Sequence, residues 1–439
     1  MWSQVNEIPT KNLGEVFRSL HDVFPCVYVF DSGYGDVNAV AYTDQRKINY
    51  AELKKQLENP EINSALKRFK LTTAADIISR ILVCPAGVDK LVQDSGANTD
   101  DTNHLEFEVA RTYESKNYLP ENRRWLFNST GALWDSVDWG EMPPAEKAAE
   151  YLKIARARLI TDSPNWPKRD LRLYANLWAQ ESMRICPSAD ALVLVGEMQV
   201  ADRDYNAAEK TIAEGRKLYP KESRFPGLAG LCAYRHGDYL NARKFFTEAF
   251  VLNPNDYSNR YFLSLCYSPL NFGILEGVYS KPPSIEASRV IELCQPTLAD
   301  LKFVASRPEI LLVTADAYKR LGKLNEAEAS GKLFVGVEPN SYIGWRLLAE
   351  VYALKQDGMK SSYCWSRSAM AVARIYANLL KQAQVSMEKG REQDALRDLQ
   401  LLVDMSPSDP RAYEDLQKLS ARNSEAAAYL KKQIQEIRF

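Results

Sequence analysis

Histidine is scarce in this 439-residue chain: only His21, His104 and His236 occur, no two near each other, which leaves little material for a histidine metal site or a catalytic triad. The seven cysteines (Cys26, Cys84, Cys186, Cys232, Cys266, Cys294 and Cys364) are odd in number, scattered and without a CxxC pair. Most stand among apolar neighbours at helical spacing, so buried reduced thiols are expected. An excess of one charge is missing too. With 56 Lys and Arg against 57 Asp and Glu, the chain has no overall field to gather nucleic acid or anionic lipid. Nowhere do about 18 apolar residues run together. The segment MWSQVNEIPTKNL carries no basic stretch followed by an apolar one, so the expectation is a soluble, cytoplasmic chain without a secretion signal or membrane span. What is present is an ordinary globular composition, 46% apolar and 26% charged. The length suits two or three domains at roughly 100–200 residues each.

Internal repetition dominates the second half. Pro220 and Pro254 are 34 residues apart, and Pro339 and Pro407 are 68 apart, twice that step. Ala208 and Ala242, Leu311 and Trp345, and Tyr318 and Tyr352 keep the same spacing, and Ala327 and Ala395 keep its double. Within SADALVLVGEMQVADRDYNAAEKTIAEGRKLYP, apolar residues recur at three and four, Asp202–Tyr205 supplies a turn, and Pro220 ends a second helix. Gly196, Ala208 and Gly215 let the two helices approach closely. A helix pair of this size cannot bury its apolar face alone, so neighbours must stack into a solenoid with a concave surface left over.

These residues resemble the tetratricopeptide repeat (TPR). Residues 223–256 fit its pattern best, with Ala229, Gly230, Ala242, Phe246, Ala249 and Pro254. Residues 308–341 depart from it at Gly331 and Phe334, and residues 342–375 keep Trp345, Leu348, Ala349 and Tyr352 but lack the central Ala. The resemblance covers about residues 189–439, and 144–185 reads as one more, weaker pair. Between Pro254 and Pro339 lie 85 residues, two units plus 17, which places an insertion at residues 268–284. The resemblance implies that the first helix of each pair lines the concave face. By offset this turns Arg224, Tyr234, Tyr261, Arg346 and Glu350 inward, although Tyr234 and Tyr261 also suit plain packing. Aromatic and Arg side chains carry much of the energy at interfaces, and a mixed Arg/Glu groove points to a protein or peptide ligand.

The first hundred residues differ. MWSQVNEI reads as a short strand, KNLGEVFRSLHDVF as an amphipathic helix, and CVYVFDS and DVNAVAYT as strands joined in a hairpin by Gly33, Gly35 and Asp36. Tyr50–Asn59 and Ala74–Ile81 read as helices. The order Trp2, Gln4, Glu7, Ile8, then a helix, Val23-Phe24-Pro25, a strand and Gly35-Asp36-Val37 resembles the last third of polyamine aminopropyltransferases. The closer likeness is to the spermidine-synthase-like domains that bacteria fuse to other modules. Asn98–Phe107, NTDDTNHLEF, resembles their tail signature.

Such enzymes hold their donor with a Gly-rich turn and acidic residues that precede the matched region. No GxGxxG-like segment follows a strand here, so no cofactor is expected. Half a doubly wound domain also leaves an edge and a face to cover. Either the helical part packs there, helped by Trp125, Trp134 and Trp139 of residues 113–143, or a second chain supplies the missing half. Asp100, Asp101, Glu106 and Glu108 form the one acidic cluster worth testing for a polyamine or cation, against a plain reading as turn, cap and strand residues.

The expected molecule is therefore mainly α. A small α/β, partial Rossmann-like region (1–112) and a Trp-rich linker (113–143) precede a TPR-type α-solenoid (144–439). Its expected role is non-catalytic binding of a partner segment. The alternative is the C-terminal part of an aminopropyltransferase whose cofactor-binding half is supplied separately.

Overall fold

In the computed structural model, residues 1–33, 36–99, 117–161, 166–268, 286–405 and 409–437 are described. The chain divides into two units, Met1–Pro220 and Lys221–Phe439, and it is mainly helical with a small α/β region at the start. That region holds β1 (Trp2–Gln4), α1 (Thr10–Val23), β2 (Cys26–Asp31), β3 (Asp36–Tyr42), β4 (Ile48–Asn49), α2 (Tyr50–Gln56), α3 (Pro60–Lys67), α4 (Ala74–Ile78), β5 (Ile81–Val83) and α5 (Pro85–Val92).

The sheet order is β1-β3-β2-β5. Both β1 and β2 run antiparallel to β3, so they are parallel to each other. Thus β1–α1–β2 is a split β-α-β crossover with the returning hairpin strand inserted in its middle. The β2/β3 hairpin forms as expected, pairing Cys26 with Tyr42 through to Asp31 with Val37, and Gly33 takes φ +104° at its turn. The helix expected over Ala74–Ile81 is shorter. A capping box between Thr73 and Asp76 starts α4, which stops at Ile78. Ile81-Leu82-Val83 then pairs with β2 instead, since a short run rich in β-branched residues serves a buried strand better than a helix end.

Residues 113–143, read as a linker, contribute α6 (Leu119–Asn128), a 3-10 turn (Leu133–Ser136) and β6 (Val137–Asp138), which pairs parallel with β4. Next come α7 (Pro144–Leu159) and α8 (Lys168–Ile185), packed on each other. The three tryptophans bridge these parts. Trp125 lies 6.1 Å from Phe17 of α1, Trp134 sits edge-on to Trp178 of α8, and Trp139 lies between Tyr50 of α2 and Tyr151 of α7. Asn122 donates to the carbonyls of Val5 and Ile8, both at 2.8 Å. The chain's own helices thus pack directly on the α/β region.

The deepest tie is ionic. Asp31, at the end of β2, accepts from Arg158 of α7 at 2.7 Å, and both side chains are fully buried. The Arg158 guanidinium lies against the rings of Tyr174 and Trp166, at 5.0 and 5.3 Å. Asp31 Oδ1 also accepts from Gly33 N–H, and Arg80 stands 3.7 Å from Oδ2. A buried charge survives only when paired and hydrogen-bonded in this way.

The repeats begin in the first unit with α9 (Ala189–Ala201) and α10 (Tyr205–Leu218). The second unit holds α11 (Arg224–Arg235), α12 (Tyr239–Leu252), α13 (Tyr257–Leu265), α14 (Ala287–Leu298), α15 (Leu301–Ser306), α16 (Glu309–Arg320), α17 (Leu324–Val337), α18 (Tyr342–Leu354), α19 (Gly358–Glu388), α20 (Glu392–Met405), α21 (Pro410–Ser420) and α22 (Ser424–Ile437). Helices α10, α12 and α17 each end two residues before Pro220, Pro254 and Pro339, as expected where the proline ring disfavours a helical conformation in the preceding residue. Gly230 has its packing reason: a Cβ there would lie 2.8 Å from the ring of Phe246 on α12. Six of the seven cysteines are buried and all are free thiols. The insertion expected at residues 268–284 lies outside the described residues, Ser268 excepted.

Helix α19 breaks the rule. It runs 31 residues without interruption, through the point where one repeat should end and the next begin. One step of 34 beyond Pro339 stands Ala373, the best helix former in place of the residue that stops the other helices.

Candidate functional site

The uninterrupted helix shapes a cavity of about 550 Å³ in the second unit. Small side chains of α19, namely Ser368, Ala369 and Ala373 with Val372, leave the space. Tyr342 and Arg346 of α18, Trp365 and Tyr376 of α19, and Asp409 and Arg411 at the start of α21 wall it. Residues 365, 369, 372 and 376 recur at four and three, one stripe of a helix. Asp409 caps α21 by accepting from Arg411 N–H at 3.0 Å, and Pro410 opens the helix. The Asp409 carboxylate also holds the Arg411 guanidinium at 2.6 and 3.0 Å, which lowers its pKa to about 2. Arg411 in turn lies 4.8 Å above the Tyr376 ring, and burial pushes the Tyr376 phenol up to about 12.

Arg346 is the cation with reach. Its side chain is 49% exposed and its nearest carboxylate, Glu350, is 3.7 Å away. Glu350 itself is taken by Lys319 of α16 at 2.5 Å. Trp365 is 46% exposed, and Tyr363 and Met370 on the same helix are exposed as well. Trp365, half in water beside a cation and a hollow, is the kind of side chain found at interaction surfaces.

Of the residues expected to face the groove, Arg346 and Glu350 are accessible on α18. Arg224 opens α11, where Glu222 clamps it at 2.7 and 2.9 Å. Tyr234 and Tyr261 are core residues, 2% and 4% exposed. Tyr234 packs edge-on to Tyr239 and Phe262, and Tyr261 packs on Phe262 and Phe303. Their rings fill the seam between neighbouring helices, so neither offers a face to a ligand. The acidic cluster Asp100, Asp101, Glu106 and Glu108 lies outside the described residues. Among the described residues no cluster could hold a metal ion, and no helix is long and apolar enough to cross a membrane.

Reasoning from sequence missed Tyr342, Trp365, Tyr376 and Arg411. The signal for three of them was the missing proline at 373, which joins Trp365 and Tyr376 along one helix and brings Arg411 opposite.

No protein-family model matches the chain. No curated protein matches it either. Among solved structures it is similar to PilF of Pseudomonas aeruginosa, with 15% identity over 50% of this chain and 90% of that one, at a TM-score of 0.38. YrrB, described as a TPR protein with an unusual peptide-binding site, shares 13% identity over 54% of this chain and 96% of its own, at 0.34. MamA shares 14% over 41% and 95%, at 0.32. At such identities and scores, nothing about this chain's ligand follows from them.

Proposed function

We propose that the protein is a non-catalytic interaction scaffold that binds a segment of a protein partner in the hollow between α18, α19 and α21. The observation that carries this reading is the pairing of half-exposed Arg346 and Trp365 on the walls of a 550 Å³ cavity. The segment that fits is an extended peptide with a carboxylate, for Arg346, close to an aromatic or branched aliphatic side chain, for Trp365 and the small-residue floor. In this reading the spermidine-synthase-like region is a structural module. Its ties to α7 and α8 through Asp31–Arg158 and the tryptophans support that role.

The test is selection of peptides from a random library on the full chain, followed by affinity measurement against Arg346→Ala/Trp365→Ala. Selected peptides should be rich in Asp or Glu beside an apolar residue and should bind the double variant at least tenfold more weakly, about 1.4 kcal/mol. Equal affinity for both proteins would remove the groove. Heat released on titrating the chain with decarboxylated S-adenosylmethionine would instead favour the aminopropyltransferase alternative.

A further inference from the structure

A second hollow, of about 380 Å³, opens on the same pair of helices. Ala353 and Gln356 line it around the end of α18, Gly358, Ser361 and Ser362 in the first turns of α19, and Trp365 closes it. Trp365 also walls the cavity beside Arg346. One half-exposed indole is therefore common to the two spaces.

The hollows lie in line. Helix α19 is joined to α18 by residues 355–357 and packs on it, so the two form an antiparallel hairpin. Tyr342 and Arg346, early in α18, belong to the first hollow, and Ala353, near its end, to the second. On α19 the order is reversed, with residues 358–362 at the second hollow and residues 368–376 at the first. Residues 342, 346 and 353 share one face of α18, as do 358, 362, 365, 369, 372 and 376 on α19. Both helices thus place the hollows at the two ends of one trough, with Trp365 between them. Along either helix the lining shifts by about eleven residues, or about 16 Å at the helical rise. An extended chain advances about 3.3 Å per residue, so about five residues cover that distance.

Their chemistry differs. The first hollow holds Arg346, Asp409 and Arg411. Among the described residues, none that lines the second is charged. The Ser361 hydroxyl there already donates to Ala349 O at 2.9 Å, and Ala353, Gly358 and Ser362 are small, which leaves the indole of Trp365 as the largest surface. Such a space favours an uncharged side chain of modest size, since a charged one would lose water with no partner to replace it.

Given that a segment binds at Arg346 and Trp365 as proposed above, we infer that it carries a second anchor about five residues away, an uncharged aliphatic side chain seated beside Trp365 between Ala353 and Ser362. The partner is then recognised by the spacing of two anchors as well as by their kind.

The probes are fluorescein-labelled peptides Asp-Phe-spacer-Val, and the reversed Val-spacer-Phe-Asp, with spacers of one to eight Gly and Ser residues, titrated into the full chain and followed by anisotropy. In one of the two orders, four intervening residues should bind about tenfold more tightly than one, and longer spacers should bring no further gain. Ser362 and Ala353 are exposed, so Ser362→Leu and Ala353→Leu should fill the second hollow without loss of thermal stability. Each should bring the four-residue peptide down to the affinity of the one-residue peptide, and replacing its Val by Gly should do the same. Equal affinity for the one-residue and four-residue peptides in both orders, or unchanged affinity in the folded Ser362→Leu and Ala353→Leu variants, would overturn the second anchor; if Arg346→Ala/Trp365→Ala still weakens binding, the groove itself stands. Absence of binding by every peptide, or binding that Arg346→Ala/Trp365→Ala leaves intact, would overturn both.

Discussion

The α/β region and the helical repeats are held together over very different distances along the chain. In the first, Asn122 bonds to Val5, Tyr50 donates to Glu150 at 2.7 Å, and Asp31 pairs with Arg158, partners 117, 100 and 127 residues apart. In the repeats, each helix packs mainly on the ones beside it in sequence: α11 on α12, α16 on α17, α18 on α19. Stability in the repeats is thus close to a sum of nearest-neighbour terms, whereas in the α/β region a single distant partner can carry much of the whole.

Substituting Arg158 by Met should show that difference at its largest. Among the described residues it leaves the buried Asp31 carboxylate with Arg80, at 3.7 Å, as its cationic partner. The expected loss is about 3–5 kcal/mol in urea unfolding. Replacing both partners, Asp31→Asn with Arg158→Met, should recover a large part of it. If the single variant loses less than about 1 kcal/mol, the pair is no lock and the contrast fails.

Ala373→Pro probes the repeats. It inserts the missing stop into α19 and should cost about 3 kcal/mol, with the damage confined to that helix and its neighbours. Hydrogen exchange should show faster amides near residues 369–373 and unchanged protection in α11 and α12. Protection lost evenly across the unit would mean that the repeats behave as one block.

The smallest effect sharpens the comparison by pH. Glu328 of α17 is hydrogen-bonded by Lys332 at 2.6 Å, by Lys355 just past the end of α18 and by Tyr352 at 3.0 Å, which lowers its pKa from 4.5 to about 2. A carboxylate with a lowered folded pKa stabilises the fold fully above its ordinary pKa, and that contribution fades as pH falls from about 4.5 to about 2. The difference in Tm between the native chain and Glu328→Gln should therefore shrink over that window. A gap that does not change between pH 6 and about 2 would show that the ionised form contributes nothing.

The same contrast explains what could be read in advance. Proline spacing and small residues at fixed offsets are local signals, so the helix pairs and their ends were legible from the residues alone. The hairpin was legible too, because the turn between β2 and β3 is short. By contrast, β5 was hidden, since Ile81–Val83 is a strand only because β2 lies beside it. The site was half legible. Arg346 could be placed by offset, but Tyr234 and Tyr261 hold positions where facing inward in the repeat means facing the next helix rather than solvent. Trp365 and Arg411 needed the length of α19, which is marked in the sequence only by what residue 373 is not.

That length has a mechanical meaning. A helix of 31 residues is a rod about 46 Å long, and it runs on where other helices of the repeats are separated by short connections. Bending it at its middle means breaking backbone hydrogen bonds rather than rotating a loop. A pull exerted at Trp365 must therefore arrive at Glu388 as a tilt of the entire shaft.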